Sequence, residues 1–109
     1  MAKVAIVTYK VKKDNVEENI KYIEKVFKKL QAKSPEGVHY ASTIHDDDVT
    51  FTHIAFFASD KAQEALTSLP EFQNFQKDLR DRCEAPPTGI FTDLVGKFGI
   101  LDKLDKAAS

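Results

Sequence analysis

Residues 50–58, TFTHIAFFA, are largely apolar on both faces of any strand they form. Phe51, His53, Ala55 and Phe57 project to one side, and Thr50, Thr52, Ile54 and Phe56 to the other. Residues 3–11 behave alike, with Val4, Ile6 and Thr8 opposed to Ala5, Val7, Tyr9 and Val11, and residues 88–98 set Ile90, Leu94 and Phe98 against Phe91 and Val95. An antiparallel sheet with helices on one face and water on the other alternates cleanly between apolar and polar positions, because only one set of side chains is buried. These strands do not alternate. An uncovered side would present the contiguous apolar patch that marks an interaction surface, so both sides need cover. The 109-residue chain holds helices for one layer only. The economical second layer is another copy of the same sheet related by a two-fold axis, since homo-oligomers are usually closed and isologous.

Local signals order the elements. Residues 3–11, β-branched and aromatic with neither Gly nor Pro, predict a first strand. Asp14 and Glu17 have capping-box spacing, and Val16, Ile20, Ile23, Phe27 and Leu30 recur every three or four residues, predicting a helix to about Ala32. Ser34, Pro35, Glu36 and Gly37 end it. Two strands follow at residues 38–45 and 50–58, joined by a polar hairpin turn at Asp46, Asp47, Asp48 and Val49. Asp60 with Gln63 repeats the capping spacing and opens a second helix, which breaks near Pro70; beyond it Phe72, Phe75, Leu79 and Cys83 share one helical face before Pro86 and Pro87. Residues 88–98 predict the last strand, and a polar tail occupies residues 99–109, docked through Leu101 and Leu104 or frayed. The expectation is therefore one domain over residues 1–109, with its core in residues 3–98. It is an α+β, ferredoxin-like βαββαβ fold with a four-stranded antiparallel sheet and helices on one face, pairing as a dimeric α/β barrel.

Composition excludes several function classes. Sixteen basic against 17 acidic residues give a net charge of −1, without the positive field that nucleic-acid binders use. Lys10, Lys12, Lys13, Lys21, Lys25, Lys28, Lys29 and Lys33 have Glu17, Glu18 and Glu24 among them and predict a solvated helix face. No run is long enough for a signal peptide or a membrane span, so the expected location is the cytoplasm. Cys83 is the only cysteine, which rules out an internal disulfide and predicts a helix-packing residue. There is no GxGxxG, Walker loop or GxSxG, and the chain has only four glycines.

The three histidines fall on the central hairpin. His39 and His45 stand about 20 Å apart along one strand at roughly 3.3 Å per residue, too far to share an ion, so no metal is expected. His53, among apolar neighbours, is the candidate proton-transfer residue; the alternative is a hydrogen-bonded core or interface histidine. Tyr9, His39, Tyr40, Phe51 and Asp93 are candidate pocket residues, since aromatic walls with a few polar groups describe most small-molecule sites. Asn74, on the broken helix, is positioned either to orient a ligand oxygen or to face solvent.

The order of elements, the doubly apolar sheet and one local pattern together resemble the antibiotic-biosynthesis-monooxygenase-like family of dimeric α/β barrels. The pattern is the strand from Phe51 to Ala58, a helix, then Leu69-Pro70-Glu71-Phe72-Gln73-Asn74-Phe75 entering the second half of the broken helix. The resemblance spans roughly residues 3–98. It implies a homodimer and chemistry drawn from cofactorless oxidation of aromatic polyketides, quinol oxidation or haem degradation, in a pocket between sheet and helices. The chain has no Trp, which counts against haem degradation, and Thr67 and Ser68 stand where the family usually places a histidine before the proline-aromatic turn. Two readings remain: a cofactorless monooxygenase or isomerase acting on a small aromatic or quinoid compound, and a non-enzymatic dimeric ligand-binding or stress-associated module. The missing Trp and the sparse polar set lean towards the second.

Overall fold

The computed structural model describes residues 2–100; the part of the expected tail that holds Leu101 and Leu104, whether docked or frayed, lies outside the described residues. Four strands form one antiparallel sheet: β1 Lys3–Lys10, β2 Val38–Ile44, β3 Thr50–Phe57 and β4 Thr88–Asp93, in the spatial order β2-β3-β1-β4. Helix α1 spans Val16–Lys33, followed after the hairpin by α2 Asp60–Thr67, α3 Pro70–Lys77 and the single turn α4 Leu79–Arg82. This is the expected α+β order.

Along β3 burial alternates strictly, with Phe51, His53, Ala55 and Phe57 buried under the helices and the residues between them half-exposed. Helices cover one face because each contributes a narrow apolar stripe: Val26 from α1, Ala62 and Leu66 from α2, Phe72 and Phe75 from α3, Leu79 from α4. On the other face the register lays rows across all four strands. Ala41, Ile54, Ile6 and Ile90 form one row, and Thr43, Thr52, Thr8 and Thr88 the next. The apolar row is thus central and a threonine row borders it, with the Thr8 and Thr52 hydroxyls 3.2 Å apart.

Several boundaries differ from expectation, each for a local reason. Helix α1 is entered through a 3₁₀ turn at Lys13–Asn15 that takes in Asp14, so no side chain caps it. At α2 the cap is Ser59, not Asp60: Ser59 is extended, and its Oγ accepts the Ala62 N–H at 3.2 Å. The second helical region breaks at Pro70, which takes the first helical position of α3, and again at Asp78. Cys83 is buried as expected, but it lies just past α4 and bridges Val11 in β fashion. The expected strand 88–98 stops at Asp93 because its partner runs out. Asp93 pairs with Lys3, and the last bond runs from Leu94 N–H to Ala2 O at 3.1 Å. Val95 and Phe98 beyond it are fully exposed.

The acidic turn is held by Asp47, whose carboxylate accepts the N–H groups of Val49 and Thr50 and the Thr50 hydroxyl; these bonds lower its pKa to about 2. Gly37, at φ 78°, turns the chain from α1 into β2, a conformation glycine adopts without a side-chain clash.

Candidate functional site

A hydrogen-bonded chain of polar side chains runs through the helix-covered core. At its centre is His53, 5% exposed on the middle of β3. Its Nε2 lies 2.6 Å from the Tyr9 hydroxyl on β1, and its Nδ1 lies 2.7 Å from Ser42 Oγ and 2.9 Å from the Tyr40 hydroxyl on β2. Strand register accounts for this meeting: Ser42 is directly opposite His53, and Tyr9 stands opposite Phe51 in the adjacent row. Asn19 of α1 donates from Nδ2 to the Tyr9 oxygen at 3.0 Å. Arg82, at the end of α4, donates from Nε to Asn19 Oδ1 at 3.1 Å and from Nη2 to the Phe75 carbonyl at 2.9 Å.

Aromatic rings enclose this chain. Tyr9 stacks on Phe51 at 5.5 Å, and Phe75 packs against His53 at 5.3 Å. The Arg82 guanidinium lies 4.3 Å from the Tyr22 ring centre and 5.5 Å from that of Phe75. Three backbone ties hold Arg82 near the end of β1: Lys12 N–H to Arg82 O, Glu84 N–H to Lys10 O, and the Val11–Cys83 bridge.

Burial sets the ionisation of the group. It holds the His53 imidazole neutral by lowering its pKa from 6.5 to about 4, and it pushes the Tyr9 and Tyr40 phenols well above their ordinary range. The Cys83 thiol is likewise pushed up by burial. Between pH 6.5 and about 4 the unfolded chain binds the proton that the folded His53 ring refuses, so stability is full above this window and falls as the pH drops through it. The expected loss attributable to this ring is about 3 kcal/mol at the acid end, at 1.36 kcal/mol per pH unit. Urea denaturation at pH 7 and pH 4.5 checks it: the native protein should lose clearly more stability than a His53→Asn variant, and equal losses would remove the ring from the account.

Beside His53 the core opens into a cavity of about 120 Å³ between the sheet and helices α2 and α3. Its walls are mainly apolar, from Val7, Ala55, Phe57, Leu66, Phe72 and Phe91, and its polar groups are Tyr40, His53, Gln63, Thr67 and Gln76. A wider depression of about 310 Å³ between α1 and α3 is bordered by Lys25, Lys28, Lys29 and Glu71 and has no aromatic wall. Tyr40 also borders a groove with Phe27 and Leu30, and Ser42 one with Ile20 and Ile23. The 120 Å³ cavity is the candidate site because His53 itself lines it, together with Tyr40.

Among the residues expected at a site, the structure brings Tyr9, Tyr40, Phe51 and His53 together, with Tyr40 and His53 lining the cavity. It places His39 on the uncovered face of β2, opposite Phe56. Asn74 is on the exposed side of α3, and Asp93 is at the exposed end of β4 in an ion pair with Lys3 at 3.2 Å. Asn19 and Arg82 were not expected. Their signal lay in spacing: Asn19 precedes Tyr22 and Val26 on one helical stripe, and Arg82 follows Leu79 by three residues. Among the described residues, no three His, Cys, Asp or Glu side chains converge as a metal site, and no helix is long and apolar enough to cross a membrane.

No family model matches the sequence, and no curated protein matches it. Solved structures do share the fold. A provisionally named antibiotic biosynthesis monooxygenase from Nitrosomonas europaea superimposes with a TM-score of 0.75 at 17% identity, over 90% of this chain and 94% of that one. Rv0793 from Mycobacterium tuberculosis gives 0.77 at 11% identity, over 89% and 98%. A protein from Caulobacter crescentus with the same provisional name as the first gives 0.74 at 18% identity, over 87% and 91%. At these identities the likeness is one of fold.

Proposed function

We propose that this protein is a homodimeric monooxygenase-like protein that takes a single-ring aromatic or quinoid compound into the cavity beside His53 and oxidises it without a resident cofactor. The observation that carries the reading is the cavity itself, a mainly apolar space whose polar groups include the Tyr40 hydroxyl and the His53 ring. An apolar cavity of roughly 150 Å³ suffices to hold benzene, and about 120 Å³ with an open mouth suits one six-membered ring of similar size. Its aromatic walls, Phe57, Phe72 and Phe91, offer ring faces and edges to a planar ligand. The names carried by structures of the same fold point towards oxygenation. The chemistry balances without an external reductant: a hydroquinone and O₂ give a hydroxyquinone and water, the substrate supplying the electrons.

Dimerisation belongs to the same reading. The face of the sheet turned away from the helices carries Ile54, Ile6 and Ile90 in one row, with Ile90 53% exposed, and a second copy of that face is the cover that matches it.

A second reading, ligand binding without turnover, is favoured by one observation: both ring nitrogens of His53 are already engaged by protein hydroxyls. Hydroquinone under ¹⁸O₂ separates the two. Incorporation of one labelled oxygen atom into the product, dependent on the folded protein, supports oxygenation; saturable binding without product supports the module. Tyr40→Phe is expected to weaken hydroquinone binding about tenfold, the worth of roughly one hydrogen bond near 1.4 kcal/mol. Unchanged affinity in titrations followed by NMR would move the ligand away from this cavity.

A further inference from the structure

Arg82 is 2% exposed, and among the described residues no carboxylate lies within ion-pairing distance of it. A guanidinium can only donate hydrogen bonds, which makes this buried cation a fixed end for the polar chain described above. Its Nε–H donates to Asn19 Oδ1, so the amide oxygen must face Arg82 and the amide nitrogen must face Tyr9. An amide NH₂ also only donates, so the Tyr9 oxygen accepts from it. The single Tyr9 hydroxyl hydrogen then goes to His53 Nε2 at 2.6 Å. With Nε2 accepting, the neutral imidazole carries its hydrogen on Nδ1 and donates towards Ser42 and Tyr40.

We propose that Arg82 and Asn19 are positioning residues that lock His53 in its Nδ1–H tautomer, so that the polar chain ends at the cavity as a hydrogen-bond donor matched to an acceptor oxygen on the ligand. The ligand half of this inference rests on the proposed cavity; the tautomer half does not. Every hydrogen in the chain points away from the guanidinium and towards the cavity side of His53. The lone pair of the ring faces Tyr9, inside the core, so the ring as held cannot take a proton directly from the cavity. When Nδ1–H is on Ser42 Oγ, the Tyr40 hydroxyl hydrogen is free to turn to the cavity that Tyr40 lines. A carbonyl or phenolate oxygen accepts from such an end, whereas a ligand bearing only donors does not.

Long-range ¹H–¹⁵N correlation spectra of the imidazoles, recorded without ligand, test the lock. His53 in the native protein should show a protonated Nδ1 and an unprotonated Nε2; the reverse pattern would overturn the proposal. In Asn19→Asp the carboxylate can only accept, from both Arg82 and Tyr9, so Tyr9 must accept from the ring and the hydrogen should move to Nε2. An unchanged Nδ1–H pattern in that variant would also overturn it. Should Asn19→Asp fold poorly, Arg82→Met serves instead: the amide is then free to turn over and both tautomers should be populated, whereas a pure Nδ1–H pattern would count against Arg82. For the ligand half, acetophenone, which only accepts, should bind the native protein about tenfold more tightly than toluene; equal affinity would refute the donor end. If neither ring compound binds, the proposed cavity function fails while the tautomer lock stands or falls on the spectra alone.

Discussion

Replacing Phe75 by alanine is expected to lower folding stability by about 3–5 kcal/mol, the range for truncating a fully buried phenylalanine. Phe75 is 4% exposed and stands where the layers meet. Its ring packs against Tyr9 at 6.3 Å, His53 at 5.3 Å and Phe72 at 6.3 Å, and it faces the Arg82 guanidinium at 5.5 Å. Truncation therefore removes apolar burial and an aromatic face against a cation that has no carboxylate partner among the described residues. Urea denaturation measures the loss directly. Phe91→Ala is the control: that ring is 65% exposed, and its removal is expected to change stability by no more than about 0.5 kcal/mol. A Phe75→Ala loss below about 1 kcal/mol would mean that the ring cluster does not hold the helices to the sheet.

The position of Phe75 also shows what was legible in the sequence. Phe72 and Phe75 were readable as a buried pair because their spacing needs only the helical period; Leu79 and Cys83 are buried too, but Leu79 lies beyond the break at Asp78 and Cys83 is held by its bridge to Val11. The hairpin of β2 and β3 and the shared face of Phe51 and His53 were readable because strand alternation assigns each residue to a face. The meeting of Tyr9 and Tyr40 with His53 depends on the register between strands, which the structure supplies. The chain from His53 to Arg82 was not legible. Asn19 and Arg82 are polar, and a polar residue on an apolar stripe ordinarily lies at its margin; only the three-dimensional meeting of α1, α4 and β1 shows that they satisfy one another. The end of β4 at Asp93 was hidden for a different reason. The apolar residues Val95 and Phe98 continue the strand pattern, but a strand needs a partner, and β1 begins at Lys3. The residue types of Asp93 and Asn74 carry no information about face or partner, and the structure places both on the exposed surface, outside the cavity lining.

Ile54→Lys is expected to convert the proposed dimer into a folded monomer. Ile54 lies on an interior strand of the sheet, flanked in its row by Ala41 on β2 and Ile6 on β1, with Ile90 next beyond Ile6, so it is central to the face that a second copy would cover. In the isolated chain this position is only half-buried, and an ammonium on a flexible stem can still reach water. Pressed against another sheet it would be desolvated without a partner, a penalty of several kcal/mol, so dissociation should strengthen by at least about a hundredfold. The helix-covered core, on the opposite face, makes no use of Ile54, which is why the variant should keep its fold and its His53 imidazole signals. Sedimentation equilibrium at micromolar concentration checks the prediction, with Lys21→Glu on the exposed face of α1 as a charge change that should leave the assembly intact. A native protein that sediments as a monomer would refute the shared sheet outright. A variant that stays dimeric would place the interface elsewhere, with the exposed Phe91, Val95 and Phe98 around the end of β4 as the next surface to alter.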